Sequence, residues 1–315
     1  MRVTSRHRSS FGAILRDWRL QRRASQLALA TEARISIRHL SFLETSRAQP
    51  SREMVHRLAH VLDVPLGDQN ALLVAAGYAP TYGERELSAP ELEHVRRALE
   101  FILRQQEPYP AIVMDGRWDI IMRNEAAQRI FGLFRPSTKE GREQALNGMR
   151  TVFHPQGIRQ FLVNWEEMAG PLIQMLHREA ASGTNPTAAE LRDELLAYPG
   201  VPAPWKLADP YTPVQPVHAM RLKKDGASVS FFSTMTVLAS PRDITLEQLR
   251  IECFYPADDA TEETARRLAA LQARKPGAKQ VTERGQVAAT SVRKRAKSAG
   301  AVPGKGVGQD KSTGG

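Results

Sequence analysis

The sequence has a single cysteine, Cys253, in 315 residues. This excludes an intrachain disulfide and any zinc site built on several thiolates. In its strand-like run, Cys253 reads as a small buried apolar residue. No apolar run reaches the length of a membrane helix, and the opening MRVTSRHRSS lacks the apolar h-region of a secretory signal. The expected location is therefore a reducing cytoplasm, with no membrane partner. Catalytic signatures are missing too: there is no nucleophile elbow, no His pair at metal spacing and no phosphate loop. Gly304-Lys305-Gly306-Val307-Gly308 has neither a strand before it nor a helix after it. Neither an enzyme nor a metal protein is expected, and no cofactor is implied.

Acidic residues are scarce at both ends. Residues 1–80 carry 12 arginines against 6 acids, net +6, and residues 273–315 carry 10 basic residues against 2 acids, net +8. Residues 81–272 carry 22 basic and 26 acidic residues, net −4. The basic character belongs to the ends, which fits a polyanionic partner.

In the first eighty residues the apolar spacing is helical. Phe11, Ile14, Leu15 and Trp18 form one stripe. Ser25 stands where an N-cap is expected, with Leu29, Ala30 and Ala33 facing inward. Ser36 caps a third helix whose Leu40 and Leu43 point to the core, which leaves Ile37, Arg38, Ser41 and Phe42 on the opposite face. Ser51 caps a fourth helix through Met54, Val55, Leu58, Ala59 and Leu62. Pro65 opens a fifth with Leu72, Leu73 and Ala76, and Gly77 suits its end. Residues 25–47 read as helix, turn, helix, the unit that lays its second helix in the major groove of duplex DNA.

At these residues the chain resembles the XRE or lambda-repressor-like helix-turn-helix family, over residues 11–79. Gln26, Leu29-Ala30, Ile35-Ser36 and Glu44 carry the pattern. The family's usual glycines are replaced by Arg34 in the turn and Ser46 after the third helix. Either those backbones avoid the left-handed region, or each costs on the order of 1 kcal/mol. The resemblance implies that Arg19 pairs with Glu44.

Position and chemistry suggest roles. Gln26 and Ser36, at helix N-termini, are expected to meet phosphates, as are Arg47 and Arg52. Arg38 is the candidate for bidentate readout of guanine, and Ile37 and Phe42 for thymine methyls. His39 completes the candidate set. Phe42 has the alternative of a dimer interface or the core.

Past Ala79–Gly83 the reading changes. A connecting helix over Pro90–Gln106 shows Leu92, Val95, Leu99 and Ile102 on its inner face. Ala111–Met114 and Trp118–Met122 are strand-like, separated by Asp115-Gly116-Arg117. Asn124 precedes a helix over Glu125–Phe131. Helices follow over Phe161–Leu176 and Thr187–Leu196, then strands over Val217–Leu222, Ser228–Leu238 and Leu249–Tyr255, with a turn at Asp225-Gly226. The order implies an antiparallel sheet with helices on one side.

Residues 108–256 resemble the ligand-binding domain of MmyB-type regulators, a PAS-like fold. The segments that carry it are Glu107–Ala111, Trp118 through Asn124–Ala127, Phe153–Gly157, Asn164-Trp165, Glu194–Pro199 and the closing strands. The resemblance implies a transcription regulator whose second domain can hold a small apolar molecule such as a fatty acid. Trp118, Trp165, Phe231 and Phe232 are candidate linings, and Arg123, His154 and Asn164 candidate contacts for a polar head. Each has another reading: Trp118 and Trp165 as core residues, His154-Pro155 as the end of an element, and Asn124 as a helix cap rather than a ligand contact.

The expected fold is therefore multidomain. An all-α helix-turn-helix domain (1–80) and a connecting helix (81–107) lead into an α+β PAS-like domain with an antiparallel sheet (108–258). A terminal helix (259–272) and a disordered basic tail (273–315) follow. Val281, Val287, Val292, Val302 and Val307 are the tail's only large apolar residues, too few to offset ordering entropy. It is read either as a DNA-scanning arm or as a solubilising segment. The expected partner is double-stranded DNA, bound by a homodimer, because one small helix reads few base pairs. The alternatives are a second domain that serves protein interaction or dimerisation without a small ligand, and an enzyme that the first domain anchors to nucleic acid.

Overall fold

The computed structural model describes residues 10–182, 185, 187–207, 219–239 and 241–274. The tail from residue 275 onward, where disorder is expected, lies outside them.

The chain begins with five helices: α1 (Phe11–Gln21), α2 (Gln26–Glu32), α3 (Ile37–Glu44), α4 (Arg52–Val61) and α5 (Leu66–Ala75). The first four are capped alike. Ser10, Ser25, Ser36 and Ser51 accept from the amides of Ala13, Ala28, His39 and Met54. Each satisfies one amide that the helix itself leaves unpaired. Their C-termini are also alike. Arg23, Arg34, Ser46 and Asp63 follow the four helices at φ of 53°, 54°, 58° and 48°. In each case the next amide returns to a carbonyl five residues back, as in Val64 to Ala59. After α5 the same turn is made by Gly77 at φ 86°. Arg34 and Ser46 thus adopt the left-handed conformation, and the domain carries that strain. The expected apolar stripes meet in one core of Phe11, Leu15, Trp18, Leu29, Leu40, Leu43, Val55, Leu58, Leu72 and Leu73. Gly12 lets α1 and α3 approach closely, since a Cβ there would stand 2.4 Å from the Leu43 carbonyl oxygen.

After a single 3-10 turn, α6 (Glu93–Gln105) leads to β1 (Ala111–Met114) and β2 (Ile120–Arg123). Five helices follow: α7 (Glu125–Leu133), α8 (Lys139–Gln144), α9 (Gly148–Phe153), α10 (Trp165–Ser182) and α11 (Ala188–Leu196). Then come β3 (Met220–Lys224), β4 (Ala227–Thr236), α12 (Ile244–Glu247), β5 (Arg250–Pro256) and α13 (Asp259–Ala273). The strands form one antiparallel sheet in the order β2-β1-β5-β4-β3, the α+β arrangement expected. Val217, where the third strand was expected to begin, lies outside the described residues. The short helices α8, α9 and α12 were not anticipated.

The expectation of helices on one side of the sheet needs correction. One face packs Ile112, Met114, Leu222, Val229, Phe231 and Phe254 against residues of α7, α9, α10 and α11. The other packs Ala111, Val113, Ile251 and Cys253 against Leu99 and Leu103 of α6. The physical reason is visible in β1: all four of its residues are buried, the pattern of a strand covered on both faces.

A candidate DNA-reading helix and a candidate ligand-binding interior

Helix α3 divides its residues cleanly. Leu40, Leu43 and Glu44 are buried, while Ile37 (48% exposed) and Arg38 lie on the outside. The Arg38 guanidinium sits 5.4 Å over the Phe42 ring, so Phe42 is half-buried beneath the arginine it was expected to accompany. Ser36 is exposed, and its hydroxyl accepts from the His39 amide at 3.1 Å. His39 is half-buried. Arg47 and Arg52 are exposed, and Arg52 donates to the Thr81 hydroxyl at 2.9 Å.

Behind this face lies an ion pair. Arg19 donates to both carboxylate oxygens of Glu44, at 2.6 and 2.9 Å, and to the Ala24 carbonyl at 2.9 Å. Both residues are buried. The Gln26 amide, expected at a phosphate, donates to the same carboxylate at 2.8 Å. Burial pushes the Glu44 carboxyl up, but the hydrogen bonds from Arg19 and Gln26, and the charges of Arg19 and Arg16, hold it below its ordinary range. The pair ties α1 to α3 and so fixes the reading helix on its bundle.

The second candidate site is the face of the sheet under α7, α9, α10 and α11, where the structure scatters the expected residues. Trp118 is buried in the core at φ 66°. Its indole Nε1 has no hydrogen-bond partner among the described residues, and the Arg250 guanidinium lies 4.5 Å over its ring. Phe231 is fully buried in this face. Phe232 instead stacks on Tyr255 at 5.4 Å, on the face that carries α6. Arg123 ends the edge strand β2 with its side chain exposed.

Two expected head-group contacts are engaged by the protein itself. Asn164 donates to Glu167 and to the Ala219 carbonyl, both at 2.8 Å, and accepts from the Arg221 amide at 3.1 Å, tying the start of α10 to β3. His154 Nδ1 accepts from the Gln156 amide at 3.2 Å, while Nε2 lies 3.2 Å from Glu140. The His154 ring meets Tyr198 edge-on. Asn124 is a helix cap: its side-chain oxygen accepts from Ala127 and Ala111, and its amide donates to the carbonyls of Leu103 and Tyr109.

Trp165 packs with Phe153 and Trp205 under the Arg159 guanidinium, 3.5 Å from its ring. Arg159 in turn donates to the carbonyls of Phe153, Pro199 and Gly200. His177 Nε2 lies 2.9 Å from the Trp205 carbonyl. The segment Ala203–Lys206 is thereby seated on α10.

The two regions touch through α12. The Glu247 carboxylate accepts the Leu66 amide at the start of α5, at 3.0 and 3.2 Å. The Ile244 amide donates to the Gly83 carbonyl at 2.9 Å, and Arg85 pairs with the buried Asp243 at 3.0 Å. Burial pushes the Glu247 carboxyl up, aided by the charges of Asp63 and Asp68 and opposed by the Leu66 amide. Sequence reading missed this joint. Four residues between two strands carry no periodicity, and the only cue was Asp243 at an N-cap position, where it accepts from Thr245.

Comparison with known proteins assigns both regions of the chain to families. Residues 95–268 match the family model of the MmyB-like transcription regulator ligand binding domain. The chain belongs to that family. Residues 10–73 match a helix-turn-helix domain. The chain is thus a DNA-binding transcription regulator with an MmyB-like ligand-binding domain, and neither matched family is an enzyme family. No curated protein matches it. Among solved structures, the PAS domain from Bordetella pertussis BvgS aligns with 56% of this chain and 98% of its own, at 16% identity and a TM-score of 0.23. An RNA-binding light-oxygen-voltage receptor aligns with 84% of this chain, at 12% identity and a TM-score of 0.26. The chain spans 61% of that receptor. Likenesses at this level carry no functional argument. Among the described residues, no helix is long and apolar enough to cross a membrane.

Proposed function

We propose that this chain is a sequence-specific transcription regulator of the cytoplasm that binds duplex DNA as a homodimer. We further propose that a small apolar ligand, fatty-acid-like in size, modulates it from the interior of the second domain. The observation that carries the first part is the division of α3: Leu40, Leu43 and Glu44 are buried and locked to α1, while Ile37 and Arg38 are presented outward. A helix held this rigidly can bring Arg38 to the O6 and N7 edge of a guanine, a contact worth about 1–3 kcal/mol of discrimination. Exposed Arg47 and Arg52, with the capped N-terminus at Ser36, supply phosphate contacts that set register without reading sequence. Gln26 serves this face through Glu44. One such helix reads few base pairs, so two copies roughly 34 Å apart would read a pseudo-palindrome.

The ligand part rests on family membership and on the aromatic and methionine-lined face of the sheet. Phe134, Phe153, Phe231 and Met114 fill that face, so a ligand enters by displacing side chains. Methionines such as Met114, Met149 and Met220 repack at low cost. A route from there to the DNA-binding helices exists, since α12 (Ile244–Glu247), which holds the start of α5, leads into β5 (Arg250–Pro256). A ligand shifts DNA binding only by the difference in its affinity for the two arrangements.

The test is selection of bound oligonucleotides by wild type and Arg38→Ala, with gel shifts at several salt concentrations. The variant should bind about 5–150-fold more weakly to the preferred site and lose preference at one position. Arg52→Ala should weaken binding to all sequences alike and lower the salt slope by about 1. Unchanged strength and unchanged preference in Arg38→Ala would remove the reading.

A further inference from the structure

Arg38 differs from the other arginines of the bundle in what holds it. Arg19 is engaged by Glu44 and the Ala24 carbonyl, Arg22 donates to the Leu62 and Asp63 carbonyls, and Arg52 donates to Thr81. Among the described residues Arg38 makes no hydrogen bond and no ion pair. Its contact is with the face of a ring. The Arg38 Cζ lies 5.4 Å from the centroid of Phe42, inside the roughly 6 Å over which a guanidinium is attracted to an aromatic face. Their spacing explains the contact. The two residues are four apart on α3, and helical side chains lean toward the N-terminus, so the Phe42 ring leans back beneath Arg38. The ring is itself held from below. Phe42 is half-buried, the neighbouring Leu40 and Leu43 are fully buried, and its carbonyl accepts the Arg47 and Ala48 amides at 2.8 and 3.2 Å. Stacking engages the flat face of the guanidinium and leaves its in-plane fork of N–H donors free. That fork is what the O6 and N7 edge of a guanine accepts from. A carboxylate partner would have occupied the fork.

We propose that Phe42 is a positioning residue for DNA reading: its ring holds the Arg38 guanidinium with the fork free, so that discrimination at the base pair Arg38 contacts depends on Phe42, which reads no base of its own. This deepens the reading of Arg38 as the guanine contact and rests on it. It gives Phe42 a role other than the thymine-methyl contact expected from its position. The gain is preorganisation. A free arginine samples many rotamers and gives them up on binding, whereas one already stacked surrenders fewer. Phe42 neutralises no phosphate, so its loss changes selectivity and leaves the salt dependence of binding alone.

The experiment measures equilibrium binding of the full chain to two duplexes by fluorescence anisotropy. One is the site that wild type selects; the other carries A·T in place of G·C at the position where Arg38→Ala loses its preference. Phe42→Leu should reduce the ratio of the two affinities about twofold to fivefold, the equivalent of about 0.5–1 kcal/mol, with an unchanged salt slope. Phe42→Tyr keeps a ring and should hold the ratio to within about twofold of wild type. In the Arg38→Ala background Phe42→Leu should change the ratio no further, because nothing is left to position. A ratio unmoved by Phe42→Leu, or a loss that adds in full to that of Arg38→Ala, overturns the positioning role. So does a loss of preference at a separate T·A pair, the mark of a direct thymine contact. Equal weakening on both duplexes, with a lower melting temperature, would make Phe42 a packing residue only and overturns it as well. If Arg38→Ala loses no preference at any position, the guanine reading itself falls and takes the role of Phe42 with it.

Discussion

Removing Glu44 should unfold the DNA-binding bundle at a much lower temperature. Glu44→Ala leaves the Arg19 guanidinium with the Ala24 carbonyl as its one remaining partner, 2.9 Å away, in place of three acceptors. Arg19 is only 7% exposed, so water cannot replace the lost carboxylate. Stranding a buried charge in this way costs about 3–5 kcal/mol. For a domain of 60–100 residues each kcal/mol lowers the midpoint by about 4–8 °C, so the bundle's transition should fall by at least about 12 °C. The assay is thermal unfolding of the full chain followed by circular dichroism. Glu93→Ala is the control: it breaks the exposed Arg97–Glu93 pair of α6, worth about 0.3–0.5 kcal/mol. The double variant Arg19→Met with Glu44→Leu should recover most of the loss, because an apolar pair of similar volume avoids the desolvation of both charges. Acid should act in the same direction. The Glu44 carboxyl is held below its unfolded value, so its contribution is complete above the ordinary carboxylate range and disappears as pH falls through the depressed one. Glu44→Ala should lose that acid sensitivity. A loss no larger than that of Glu93→Ala, or a double variant as unstable as Glu44→Ala, would refute the reasoning.

Three further outcomes are expected. Ser46→Gly relieves a left-handed residue at φ 58°. The relief, about 1–2 kcal/mol, exceeds the extra freedom given to the unfolded chain, so the stability read from denaturant unfolding should rise by about 0.5–1 kcal/mol; a fall would mean that the turn is unstrained. Glu247→Ala removes the acceptor of the Leu66 amide, so exchange of that amide should speed up by about 5–30-fold, the equivalent of 1–2 kcal/mol of local opening; an unchanged rate would show that α12 does not hold α5. The Glu252 carboxyl is pushed up in the folded state, so the folded protein binds the extra proton and wild type loses stability as pH climbs from the ordinary carboxylate range through the raised titration. Glu252→Gln should therefore match wild type in acid and be the more stable of the two at alkaline pH, where only wild type buries a charge; equal pH profiles would show that Glu252 is not desolvated.

The helical bundle was legible because its cues are local. Stripes at helical spacing and serine caps at Ser25, Ser36 and Ser51 need only neighbouring residues to be read, and the structure places these residues as those cues require. The inner face of the sheet was far less legible, and β4 and β5 show why. Phe231 and Phe232 are adjacent and equally apolar, so composition cannot say which faces the ligand side; the strand register decides, and a slip by one residue exchanges them. In β5, Ile251, Cys253 and Tyr255 alternate with Arg250, Glu252 and Phe254. Read alone, that pattern assigns Arg250 and Glu252 to solvent. The structure covers both faces, with α6 over Ile251 and Cys253 and α10 over Arg250. Charges that read as a solvated surface are thereby turned inward. A covered charge either finds a partner or carries an unmet cost. Arg250 has Glu179, whereas Glu252, two residues on, keeps part of its surface in solvent beside exposed Ser233 and Met235.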